Sequence, residues 1–221
     1  MELIREVSLI LTKNTAESIA AHLRLSILRG DLKSNEPLRQ DKIAEELGVS
    51  KVPVREALVQ LKAEGLVTLY TNRGAFISAL TAAEASEIYT IRIALETVAL
   101  EAAIPHLTAP ILMQAENILR VMDVETDTAR WNELNWDFHA QLYQAAQMPR
   151  LISILEPLHM NVARYLVLYL KNLGFQATSQ QEHYAILQAC RDGNVTQAVG
   201  LLRQHLLSAS TTLATFLMSE T

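Results

Sequence analysis

Apolar residues recur along this chain at two different periods, and the change of period divides it. From Thr15 to Arg29, Ile19, Leu23, Ile27 and Leu28 fall near the spacing of a helix that buries one face, and Gly30-Asp31 ends the pattern. A second helix is predicted over Gln40–Leu47, with Ile43, Ala44 and Leu47 inward and Gly48 as its stop. Ser50 is placed to cap a third, whose first turn tolerates Pro53 because the missing N–H costs little there. That helix turns Val54, Ala57, Leu58 and Leu61 inward and closes near Glu64-Gly65. Two short β-rich runs follow, LVTLY and AFISAL, and the TNRG between them suits a hairpin turn. Helix, helix, tight turn, helix, hairpin is the order of a winged helix-turn-helix.

After Leu80 the β signal vanishes. Helical spacing is predicted over residues 81–104, 110–122, 128–147, 151–173, 178–191 and 195–218, separated by short breaks such as PHLTA, MPR, GFQA and DGN. Pro157 is expected to kink the fourth of these. The fold expected is mainly α: a winged helix-turn-helix over residues 8–78, then an antiparallel six-helix bundle over 81–221.

Composition narrows the classes. A chain of 221 residues with 50% hydrophobic and 19% charged residues has the material for one large or two smaller packed domains and is not of the disordered kind. No apolar run is long enough to span a bilayer and no secretory signal opens the chain, so a cytoplasmic location without a membrane partner is expected. Cys190 stands alone, which excludes an internal disulfide and fits a reducing compartment. The net charge of -5 conceals an asymmetry, since residues 1–78 hold 11 Lys+Arg against 10 Asp+Glu while the remainder holds 8 against 14. The first third is the less acidic part, a weak pointer to a polyanion.

A helix that reads duplex DNA must present donors at its N-terminal end while its other face packs on the domain. In SKVPVREALVQLKAEGL the outward residues at that end are Ser50, Lys51, Val52 and Arg55. Arg55 carries a fork that matches two acceptors of a guanine; Lys51 reaches a base or a phosphate; Ser50 serves as cap or phosphate donor. At the hairpin tip Arg73 suits the minor groove or a phosphate, and Gly74 lets the backbone approach closely. On most helices such charges merely solvate a face. The segment Leu25 to Ile77, however, resembles the N-terminal domain of the GntR family of bacterial transcription regulators, through LGVSKVPVREALVQLKAEGLV followed by NRGAFI. Two positions depart from the family's pattern: Lys51 stands where an Arg is usual, keeping the charge without the bidentate fork, and Ser34-Asn35 replaces Pro-Gly, Asn being tolerant of a left-handed conformation. The resemblance implies operator contacts by Lys51, Arg55, Arg73 and Gly74, and a homodimer on a two-fold DNA site.

The second block holds histidines on apolar stripes. Trp131, Leu134, Asn135, Phe138, His139, Leu142 and Tyr143 share one helix face, so Asn135 lies beside His139. His183 falls with Ile186, Leu187 and Cys190; His205 falls with Ala198, Leu202 and Ala209. The DGN turn makes the last two helices a hairpin in which His183 and His205 lie at similar depth, about 12 Å and 16 Å from the turn at 1.5 Å per residue. Three imidazoles converging in a bundle interior suit Zn, Ni or another borderline divalent ion, although core histidines satisfied by single hydrogen bonds fit the same spacing. His22, His106 and His159 are read as surface or packing residues, Tyr165 and Tyr169 as core, and Trp131 and Trp136 as packing.

Residues 81–221 resemble the FCD ligand-sensing domain of the FadR-type GntR subgroup, in its six-helix branch, through IRIALE, NWDFHAQLY and EHYAILQACRDGNVTQAVGLLRQHL. In metal-binding members an Asp or Asn four residues before the first His, with two later His, holds the ion, which implies Asn135, His139, His183 and His205 here. A neutral amide at Asn135 is a weaker ligand than a carboxylate. The resemblance further implies a small carboxylate effector that completes the metal's shell, paired with a nearby cation. For that cation Arg92 is favoured and Arg164 stands second; Arg92 also has Glu96 four residues on, an ordinary intrahelical pair. The function expected is a ligand-responsive transcription regulator and repressor, not an enzyme. A helical-bundle metalloenzyme is the alternative, since three His with an open position is also a catalytic zinc arrangement. It lacks HExxH, and Glu182 and Asp137 point away from His183 and His139 on their own helices. An interaction module whose hairpin binds protein is a third reading, one that would tolerate loss of Lys51 and Arg55.

Overall fold

The computed structural model describes residues 15–173 and 175–219, and their side chains except those of residues 15, 164, 166–173 and 175. Residues 8–14 of the expected first domain, and the side chains of Arg164 and Tyr169, lie outside the described residues. The chain forms two compact units, Met1–Ala79 and Leu80–Thr221.

In the first unit, α1 (Thr15–Arg29) packs on α3 (Lys51–Ala63), with Ile19, Leu23 and Ile27 buried together with Val54, Leu58 and Leu61. Arg24 donates from Nε and Nη2 to both carboxylate oxygens of Glu64, at 2.8 and 2.5 Å, and ties α1 to the end of α3. Between them α2 (Gln40–Leu47) stops at Gly48, whose φ of 66° lets its N–H reach back to the last carbonyls. Ser50 has the extended backbone of an N-cap, yet its hydroxyl makes no capping bond. Pro53 occupies the third position of α3 and so removes one of the two amides that can donate to a cap.

Three short strands complete this unit: β1 (Pro37–Leu38), β2 (Val67–Tyr70) and β3 (Gly74–Ile77), antiparallel in the order β1-β3-β2. Val67 pairs with Ile77 and Tyr70 with Gly74, so the tip falls at residues 71–73. β1 has no counterpart in the sequence reading, because two residues beginning with Pro carry no alternation to detect. Asn35, at a φ of 65°, turns the chain into it; its N–H donates to the Ile77 carbonyl at 2.9 Å and the Ile77 N–H returns to Glu36.

The second unit is a bundle of α4 (Ala82–Ala103), α5 (Ala109–Met122), α6 (Thr128–Tyr143), α7 (Pro149–Leu173), α8 (Phe175–Arg191) and α9 (Val195–Ser219). A capping box opens α4, with Thr81 accepting from the Glu84 amide while Glu84 accepts from the Thr81 amide. α4 packs on α7 and α9, α5 on α6 and α8, α6 on α7, and α8 on α9. α6 ends four residues before the expected boundary, passing into a 3-10 turn at Gln144–Ala146 and a left-handed Gln147. α8 begins three residues earlier than expected, and α7 runs through Pro157. Among the described residues no helix is long and apolar enough to cross a membrane.

Candidate metal centre

Every residue of the face predicted for α6, from Trp131 to Tyr143, is buried, and His139 sits in its middle at 1% exposure. The turn that joins α8 to α9 places the other two rings. Gly193 takes a φ of 63°, and the Asn194 side chain accepts from the Gln197 amide at the start of α9. His183 and His205 then meet at a ring-centroid separation of 4.7 Å, and His139 lies 5.2 and 5.4 Å from them. One ligating atom from each ring falls within 4.8 Å of the others. The similar depths read from the sequence, about 12 Å and 16 Å, are thus close enough for the two rings to touch.

Hydrogen bonding on the far side of each ring fixes which nitrogen is free. Tyr143 donates from Oη to Glu96 Oε2 at 2.7 Å, which leaves that hydroxyl oxygen to accept from His139 Nδ1, 3.2 Å away. Gln180 donates from Nε2 to the Leu119 carbonyl and to Asp123, both at 2.8 Å, which orients its Oε1 to accept from His183 Nδ1 at 3.3 Å. Glu182 Oε2, an acceptor only, takes the Nδ1 proton of His205 at 2.7 Å. Each ring thereby spends Nδ1 on a neighbour and keeps its lone pair on Nε2. Inside the cluster His139 Nε2 and His183 Nε2 are buried with no hydrogen-bond partner. Buried acceptors facing one another are costly unless a donor or a cation lies between them. Burial, then the charges of His183 and His205, hold His139 well below the ordinary imidazole range; burial and His205 do the same for His183. Both therefore stay in the neutral form that binds metal. Nitrogen donors with the outer N–H engaged by hydroxyl, amide and carboxylate fit a borderline divalent ion such as Zn or Ni.

Asn135 is buried and lines, with His205, Arg92, Asn132, His159 and Trp131, a cavity of about 20 Å³. Trp131 also lines a second, larger pocket of about 510 Å³, together with Met122, Asp123, Gln176, Gln180 and Tyr184. Arg92 makes the intrahelical pair read for it and also faces the cavity. Its Nε donates to Glu96 Oε1 at 2.7 Å, with both side chains almost wholly buried, and it lines the cavity. Its guanidinium lies 4.9 Å from the centre of the Tyr89 ring. Glu96 thus links Arg92 through Tyr143 to His139.

Gln180 was not singled out in the sequence, and Tyr143 and Glu96 were read only as a face residue and an intrahelical partner. Tyr143 lies four residues after His139, Glu96 four after Arg92 and Gln180 three before His183, all readable as helix neighbours. Glu182 points away from His183 around α8, as expected, and for that reason reaches His205 on α9. His159, read as surface or packing, is a packing residue: it is 3% exposed and its ring lies tilted against Trp136 at a centroid separation of 5.1 Å. The spacing of Leu151, Leu155, His159 and Val162, all buried, was the available signal. His106 is exposed, His22 is half-buried and Tyr165 is buried, its hydroxyl accepting from the Leu80 amide at 2.6 Å.

In the first unit Ser50, Lys51 and Arg55 are exposed at the start of α3, as are Arg73 and Gly74 at the hairpin. Val52 beside them is 65% exposed. Lys51 Nζ lies 2.5 Å from Asp41 Oδ1, a fully solvated pair of little energetic weight. Gly74 has a φ of 92°, which favours glycine, and a β-carbon there would touch nothing.

A winged helix-turn-helix with a cationic leading turn, followed by an all-helical unit enclosing an imidazole cluster, is the architecture of a two-module regulator. Residues 15–77 match the model of the bacterial regulatory proteins of the gntR family, and residues 87–208 match the FCD domain. The chain belongs to the GntR family and carries an FCD domain in its second unit, and neither family match points to the metalloenzyme alternative. A solved GntR family regulator from Pseudomonas syringae pv. tomato is 34% identical, with a TM-score of 0.58 over 92% of this chain and 88% of that one. The uncharacterized HTH-type transcriptional regulator YdhC of Bacillus subtilis is 30% identical over 192 residues, 84% of this chain and 83% of that protein. The gluconate operon transcriptional repressor of Bacillus subtilis is 32% identical over 135 residues, 60% of this chain. The chain's match spans about half, 55%, of the length of that repressor and of the first curated relatives.

Proposed function

We propose that this regulator is a repressor that binds a two-fold operator as a homodimer and responds to a small carboxylate held at a divalent metal site in the bundle. The observation that supports the sensing half is the set of three converging histidines, each with Nδ1 engaged, in which Nε2 of His139 and Nε2 of His183 are buried without partners. His139, His183 and His205 would hold the ion, with Asn135 as a fourth, weaker ligand. The bound cation would supply a positive centre for carboxylate oxygens. Arg92 supplies a second positive charge at the cavity wall, kept in place by Glu96. An effector that prefers one arrangement of the bundle shifts the population of DNA-competent dimers. Repression is the activity named for the gluconate operon relative.

For the DNA half, Arg55 and Lys51 engage the major groove, Ser50 a phosphate, and Arg73 with Gly74 the minor groove or the flanking backbone. One module reads a few base pairs, so a dimer with fixed half-site spacing is needed for specificity.

Two measurements test the reading. Metal analysis of the purified chain beside a His139→Ala, His183→Ala variant is expected to find one divalent ion per chain in the first and almost none in the second; equal metal in both removes the site. Mobility shift on the promoter regions flanking the gene is expected to lose specific binding in the Lys51→Ala, Arg55→Ala variant, with a shallower salt dependence of what remains. Binding with an unchanged salt slope counts against the assigned helix.

A further inference from the structure

The leading turn of α3 breaks two local rules at once. Val52 is 65% exposed, more than any other large apolar side chain among the described residues of the first unit. A β-branched residue gains nothing for a helix at such a position, since it loses rotamer freedom that Glu or Gln would keep. Beside it Lys51 sets a positive charge at the positive end of the helix, where an acidic residue is the stabilising choice, and that turn carries no acidic residue. Asp41 of α2 offsets the Lys51 charge from 2.5 Å, with both side chains largely in water. Ser50 and Arg55, before and after Val52, are exposed as well. The helix thus gives up stability at its tip, the mark of a surface shaped for something outside the chain.

The side chains of this turn define what that is. The cations suit phosphates and the acceptor-bearing edges of bases. Val52 can meet neither, having no donor and no acceptor. In the major groove guanine, adenine and cytosine present hydrogen-bonding groups and no methyl; against them Val52 strips water from a polar edge and returns nothing. Thymine alone offers a methyl group there. The stiffness of the side chain then becomes an advantage, because a β-branched residue in a helix holds one χ1 rotamer and both its methyls stand fixed before contact. A protein partner would want a continuous apolar area, whereas Val59, the next exposed apolar residue of α3, lies seven residues on with Arg55 and Glu56 exposed between.

We propose that Val52 reads a thymine methyl group in the operator, so that one position of the DNA site is chosen by an apolar contact and not by a hydrogen bond. This rests on the reading of α3 as the helix that enters the major groove. Val52 is a specificity residue there, and it adds nothing to the charge-driven part of binding.

The test lets the full-length chain select from a duplex library with a random central segment and takes the enriched sequence as its probe. Each thymine of the probe is then exchanged in turn for uracil, which pairs alike and lacks only the methyl. One position in each repeat of the site is expected to lose affinity about three- to fivefold, the worth of one methyl group withdrawn from water. Val52→Ala removes both methyls at an exposed site where Ala is the better helix former, so circular dichroism is expected to be unchanged. In that variant the same exchange is expected to cost less than about twofold, and the two proteins are expected to bind the uracil probe within about twofold of each other. The comparison cancels any general effect of uracil on the duplex. Uracil exchanges that cost the wild type less than about twofold at every position, or a cost that survives Val52→Ala, overturn the proposal while the selected sequence keeps the DNA reading. Failure to enrich any sequence, or enrichment of the same sequence by the Lys51→Ala, Arg55→Ala variant, overturns the DNA reading of α3 and the proposal with it.

Discussion

Replacing Tyr143 by Phe removes one oxygen atom from the centre of the bundle and tests the tautomer assignment directly. The hydroxyl is wholly buried, donates to Glu96 at 2.7 Å and accepts from His139 at 3.2 Å. Its loss leaves a buried carboxylate oxygen short of a donor and a buried N–H short of an acceptor. A hydrogen bond to a charged group contributes about 1.5–3 kcal/mol, and the stranded N–H adds to this, so the metal-free chain is expected to lose about 2–4 kcal/mol. At roughly 2–4 °C per kcal/mol for a protein of this size, the melting temperature falls by about 5–15 °C. Zinc affinity falls as well, because an imidazole whose outer N–H lacks a partner is a poorer and less well oriented ligand; the expected loss is about 10–100-fold. Thermal unfolding followed by circular dichroism gives the first quantity, and competition with a chromophoric chelator gives the second. If stability drops while zinc affinity holds, the hydroxyl is structural only and His139 does not present Nε2 as argued. If neither changes, the Arg92–Glu96–Tyr143–His139 chain is not formed in solution.

Acid is expected to destabilise the metal-free bundle. His139, His159 and His183 have pKa values held well below the unfolded value of about 6.5, so below that pH the unfolded chain takes up protons the folded one refuses. Stability is then complete above about pH 6.5 and falls below it with a slope approaching about 4 kcal/mol per pH unit for three such groups; urea midpoints that stay level from pH 7.5 to 5.5 contradict this. Asn135→Asp is expected to raise zinc affinity by at least about tenfold, through the added charge, while lowering the melting temperature of the metal-free protein, where the new carboxylate is buried and Arg92, the cation on the same wall, is already paired with Glu96. Isothermal titration and melting curves moving in the same direction would contradict Asn135 as a ligand. In the first unit, Asn35→Gly is expected to be close to neutral in urea unfolding and Asn35→Ala to lose about 1–2 kcal/mol, because the φ of 65° penalises a β-carbon.

The two periods of the apolar pattern made most of the helices legible, and three of their histidine positions led to one cluster. Helix periodicity reports which way a side chain faces, and for His139, His183 and His205 that was enough once the DGN turn fixed their depth. It says nothing about what a side chain meets on a neighbouring helix. Glu182 illustrates the limit: its offset from His183 on α8 was read correctly, and its bond to His205 depends on the packing of α8 against α9. His159 was hidden differently. Its spacing with Leu151, Leu155 and Val162 agrees with packing, and the groups it meets on other helices are not written in that spacing. β1 carried no signal, since its place in the sheet is set by the backbone of Asn35 and Glu36 and not by a run of apolar residues. Ser50 was read as a cap and makes no capping bond, and Pro53 removes one of the two amides such a bond can use.

Trp131 lines both the small inner cavity and the open pocket of about 510 Å³. A molecule passing from one to the other would have to displace the indole. Such an obstacle slows entry and exit by the same factor, so it would change the tempo of exchange and leave the occupancy at equilibrium untouched.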